Sequence, residues 1–179
     1  LFLFFLINYL GQYCNRTMKE ETILKNEWVK RFDLTAVTQS KYYKIVGCFA
    51  IGFERLKIRG DIHPYFVIYP LWEEDVKKCF WGPFLYHHIK DSKGLPYYLS
   101  ISQMLEKKEE IFLNAENYIN FDLRKNIHKD TLLKVINAYS NERYSVPSAQ
   151  YATIEMKARM ATFLNDESLF EQAIVDMEI

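Results

Sequence analysis

Glycine, proline and cysteine are all scarce in this sequence: 6, 5 and 3 among 179 residues. Three scattered cysteines cannot build a disulfide framework, which points to reduced thiols and a cytoplasmic setting. Neither sign of charge is in excess, since Lys+Arg and Asp+Glu both number 23. A chain that grips phosphate backbones carries a basic surplus or stripe, so nucleic-acid binding is not expected here. The sequence also lacks Gly-x-Ser-x-Gly, Gly-x-Gly-x-x-Gly and paired cysteines at zinc spacing. In "GCFAIGFE" two glycines stand at phosphate-loop separation, but Phe53 and Glu54 occupy the Lys and Ser/Thr positions. No cation would meet the phosphates, so that motif is excluded. No cofactor is expected.

No apolar run is long enough to span a bilayer, which takes about 20 residues. The nearest is the opening "LFLFFLINYL", which lacks the basic start and small-residue cleavage site of a secretory signal. Residues 1–17 read as doubtful upstream sequence, because Met18 opens a stretch that looks like an ordinary start. A truncated signal or membrane anchor, or a genuine core helix, are the alternatives, and only the anchor would place the protein at a membrane. Asn15-Arg16-Thr17 fits the N-glycosylation pattern, which matters only in a secretory setting. No repeat or linker divides the remainder, so residues 18–179 are expected to form a single α+β domain.

What is present is an aromatic middle. Residues 42–101 hold 14 of the 29 Phe, Trp and Tyr side chains, and their spacing predicts a small antiparallel sheet of about four strands. "KYYKIVGCFAIGF" running on into "ERLKIRG" reads as the first strand and "YFVIYPLW" as the second. "PFLYHHI" and "LPYYLSI" flank Asp91-Ser92-Lys93-Gly94 and read as a hairpin. Loops this short join antiparallel neighbours. One helix precedes the sheet, with Ile23, Leu24, Trp28, Val29 and Phe32 on its apolar stripe. About four helices follow it. Ser100 with Gln103 forms a capping box, and Met104, Ile111, Phe112, Ala115, Tyr118 and Ile119 keep helical phase. Asp130, Pro147-Ser148 and Asp166 open the later helices. In those, Met156, Met160, Phe163 and Leu164, then Leu169, Phe170, Ile174 and Met177, are expected to face inward. Sheet and helices segregated in this way give the α+β class.

Four sets of residues offer chemistry. Asp61 and His63 lie two apart in an extended segment and would share a face, with one of His87 and His88 joining them. A carboxylate with two imidazoles suits Fe(II) or Zn(II) and would support a metal-assisted enzyme. Cys79 follows Lys77 and Lys78, whose charge favours a thiolate, whereas Cys48 reads as a small core residue. Trp72 and Trp81 bracket a charged insert that includes Glu73 and Glu74, the composition of a protein contact site. The last helix is acidic, with Glu171 and Asp176 among its carboxylates and no Lys or Arg after Arg159. With so little catalytic chemistry, the leading expectation is a non-enzymatic binding or accessory protein, inhibitor- or immunity-like, with a protein partner. The metal-assisted enzyme and a membrane-anchored or exported domain are the rivals.

Overall fold

The computed structural model describes residues 18–143 and 147–177. The questions raised by residues 1–17, including an anchor and the Asn15 sequon, lie outside the described residues. Helix α1 covers residues 18–32. Leu24, Trp28 and Phe32, four apart, are buried, while Ile23 at the stripe's edge is 41% exposed.

A single five-stranded antiparallel sheet follows, with strands in chain order: β1 (Thr35–Ala36), β2 (Lys41–Val46), β3 (Phe49–Ile58), β4 (Asp61–Pro70) and β5 (Leu85–His88). β1 meets β2 through Thr35 opposite Tyr43 and Ala36 opposite Tyr42. The run expected as one strand is two, because the chain reverses at Gly47, whose φ of 57° is left-handed. β3 and β4 are joined across Arg59 and Gly60, both at positive φ, as a tight hairpin turn with the sheet's own twist requires.

"LPYYLSI" does not become a strand. The turn before it forms as expected, with the Asp91 carboxylate accepting from the Lys93 and Leu95 amides at 2.9 Å each. Beyond it the segment makes only isolated bridges, Lys90 with Pro96 and Ile62 with Leu99. Pro96 has no N–H to donate, which interrupts a ladder at that point.

The helices after the sheet are α3 (Ile101–Glu106), α4 (Lys108–Ile119), α5 (Lys129–Arg143), α6 (Pro147–Leu164) and α7 (Glu167–Met177); a one-turn α2 (Val76–Cys79) lies between β4 and β5. The α+β class therefore holds. α3 carries the full capping box: Gln103 N–H donates to Ser100 Oγ, and Ser100 N–H to Gln103 Oε1. The expected single helix from 101 to 119 breaks at Lys107, which caps α3 and starts α4.

The described chain gathers into two compact units. One comprises residues 18–44, 52–66 and 87–124; the other comprises 45–51, 67–86, 125–143 and 147–177. The first is built on an aromatic cluster. Trp28 packs against Phe53 at 4.7 Å between ring centroids, Phe112 at 4.9 Å and Phe32 at 5.5 Å, and Phe53 reaches Phe66 at 5.7 Å. Stacked, tilted and edge-on pairs of this kind add about 0.5–1.5 kcal/mol each beyond the apolar area they bury. Arg31 clamps the Glu116 carboxylate in a fork at 3.0 and 2.9 Å. The second unit centres on Cys48, Phe49, Val67, Leu132, Ile136, Met156, Met160 and Ala173, all buried. Here α6 ends at Asn165, left-handed at φ 52°, and Asp166 caps α7 by accepting from the Leu169 amide at 3.1 Å.

Candidate functional sites

The strand period of two sorts the candidate metal residues by face. On β3, Phe53 turns toward α1, so Glu54 turns away from it. On β4, Phe66 joins the Trp28 cluster, so His63 and Tyr65 turn away. His87 and His88 divide in the same manner: His87 stacks flat on Tyr118 of α4, at 4.1 Å and 14°. His88 packs against Tyr65 at 4.1 Å and lies 6.4 Å from His63 between ring centroids. Tyr98 closes edge-on over His63 at 4.4 Å.

The result is a pair of imidazoles boxed by two phenols, with His63 only 5% exposed. Burial, then the neighbouring His63 and Lys90, hold the His88 imidazole below its ordinary pKa, favouring the neutral ring. Its Nδ1 is buried without a hydrogen-bond partner. Asp61, at the exposed start of β4, does not complete a ligand set with them. Among the described residues no three His, Cys, Asp or Glu side chains gather as a metal ion needs. His63 and His88 lie near each other, His87 packs on Tyr118 instead, and Asp61 completes no three-residue group with them.

Two buried polar groupings of the first unit were missed by sequence reasoning. The Glu54 carboxylate, 3% exposed, accepts from the Tyr43 hydroxyl and meets Lys41 Nζ at 3.1 Å. Arg55, 5% exposed, donates through Nε to the Tyr42 hydroxyl at 2.7 Å and through its fork to the Gln39 carbonyl. Burial pushes the Tyr42 phenol up to about 12 despite the opposing pull of Arg55. The only available hint was the alternation "GFERLK", which puts two charges inside an apolar run.

The tryptophan insert lies in the second unit, and its two rings behave differently. Trp72 is half-buried, edge-on to Phe49 at 5.8 Å with the Arg159 guanidinium 5.5 Å from its ring. Trp81 is 78% exposed, and Val76 on the same insert is 67% exposed. Asp75 caps α2 by accepting from the Lys77 amide, and the Trp81 amide continues the turn to the Lys78 carbonyl. Glu73, Glu74, Lys77 and Lys78 are exposed around them. Cys79 is buried, its thiol 3.8 Å from the Glu73 carbonyl, which removes it from reactive exposure. Cys48 is buried too, and burial pushes its thiol up to about 11.

On the last helix Glu171 is exposed, but Asp176 is not a free acid. Lys157 Nζ and Gln172 Nε2 each reach its carboxylate at 3.0 Å, and although burial opposes ionisation, they hold its pKa below the usual range. The apolar face of α7 also departs from expectation. Ala173 is the buried position, while Phe170, Ile174 and Met177 are 43%, 39% and 54% exposed. On α6, Met156 and Met160 do face inward, but Phe163 and Leu164 are 57% and 37% exposed. A groove of about 350 Å³ runs along the α6–α7 corner, with Phe170 among its lining residues beside Asp166, Glu167 and Glu171. Among the described residues no helix is long and apolar enough to cross a membrane. Comparison with family models, curated proteins and solved structures finds no match for this chain.

Proposed function

We propose that this chain is a non-enzymatic binding protein, inhibitor- or immunity-like, that engages a protein partner through the insert between β4 and β5. One observation carries the reading: Trp81 leaves 78% of its surface in water, with Val76 67% exposed on the same short insert. Burying a large exposed indole against a partner is favourable, and tryptophan leads the residue types that dominate interface energetics. Glu73, Glu74, Lys77 and Lys78 supply the polar surround expected of such a contact. Trp72 belongs to the support, fixed between Phe49 and Arg159.

The paired variant Trp81→Ala with Val76→Ser removes mostly exposed surface, so its melting temperature should stay within about 2 °C of the parent. It should lose a partner that the parent and a control at another exposed apolar position, Leu95→Ser, both retain. Retention of that partner by the paired variant would remove the insert from the interface.

A further inference from the structure

The α6–α7 hairpin treats its carboxylates unequally. Asp166 is paired with Lys129, Asp176 with Lys157 at 3.0 Å, and Glu155 with Arg159 at 2.8 Å. Glu167 and Glu171, both exposed on α7, meet no cation within ion-pair range among the described residues. These two lie one turn apart, and both line the groove with Phe170. Phe170, Ile174 and Met177 follow one another at i, i+4 and i+7 and are all exposed. They make an apolar ridge about 10 Å long at 1.5 Å per residue. An apolar ridge bordered by two uncompensated carboxylates has the complement of one kind of ligand.

We infer that the α6–α7 hairpin docks a cationic amphipathic helix of a partner protein. Its apolar side chains lie on Phe170, Ile174 and Met177, and its lysines or arginines meet Glu167 and Glu171. Amphipathic helices present their anchors at the same i, i+4, i+7 spacing, so two turns of helix match the ridge. The same carboxylates disfavour the other occupants. A second copy of this face, related by a two-fold axis, would bring acidic residues against acidic residues. An anionic lipid surface would be repelled by the same carboxylates.

The probe is a fluorescent peptide of about 18 residues, with leucines at helical spacing and lysines on its polar face, titrated into the whole chain. The expected result is binding that weakens as salt is raised. Glu167→Gln with Glu171→Gln, and separately Ile174→Glu, should each weaken it by ~10-fold or more. Trp81→Ala with Val76→Ser should bind the peptide as the parent does, so this surface and the insert stand or fall separately. Circular dichroism establishes that each variant is folded; if Ile174→Glu is not, the double glutamine variant decides. Absence of binding, equal binding of a peptide with glutamate in place of lysine, or an unaffected double variant would each overturn the proposal. So would concentration-dependent dimers in sedimentation that Ile174→Glu dissolves.

Discussion

Gly52 sits where no side chain fits. A Cβ there would lie 2.0 Å from the Tyr42 carbonyl oxygen and 2.9 Å from the Tyr43 Cα, both of them backbone atoms that cannot swing aside. Gly52→Ala should therefore cost about 3 kcal/mol, read as a shift of the urea midpoint. An unchanged midpoint would mean that β2 and β3 do not approach as described. His88 supplies the pH dependence. Burial, His63 and Lys90 lower its folded pKa, so the native state binds fewer protons than the unfolded chain just below about pH 6.5. Stability contributed by the neutral ring is complete above that pH and falls as the pH drops toward the folded pKa. Unfolding in urea at pH 7.5 and 5.5 should show this loss, and His88→Gln should reduce it; equal losses in the two proteins would contradict it. At this scale the sequence was informative wherever a side chain had one favourable environment. Trp28 on a helical stripe was expected in the core, and it is 0% exposed. The Glu54 and Arg55 groupings were hidden because their partners, Tyr43 and Tyr42, lie on β2, and a sequence does not state strand register.

Among the elements, the clearest test is the cap of α3. Ser100→Ala removes the oxygen that accepts the Gln103 amide, and should cost ~1 kcal/mol in chemical unfolding. Ser100→Asp, which keeps an acceptor, should recover most of it; equal loss in both would show that the cap contributes nothing. That helix start was readable because capping is local chemistry of three residues. The turn at Asp91–Gly94 was readable for the same reason. The reversal at Gly47 was not: it is followed by Cys48 and Phe49, both buried, so no polar residue announced a turn. α7 misled for a different reason. Its apolar residues keep helical phase, yet Ala173 alone is fully buried, because a small residue lets the helices approach closely and leaves the larger side chains outside. Periodicity identifies an apolar ridge but does not say whether the protein's own core covers it.

For the molecule as a whole, the α+β class followed from the order of elements, and the sheet's aromatic content placed its core. The candidate sites followed less well, since each depends on which side chains converge. His63 and His88 meet, Asp61 stays apart, and Trp72 and Trp81 take opposite roles that their spacing did not distinguish. What remains for the proposed binding surface is an exposed indole at Trp81. Its most direct test replaces Trp81 with a photo-crosslinking phenylalanine derivative in the full chain, expressed in its source cells. Irradiation should join one specific polypeptide at position 81, and a second exposed position, Leu95, should capture none of it. Crosslinking of no polypeptide at position 81, or of the same set from both positions, would contradict a partner at this surface.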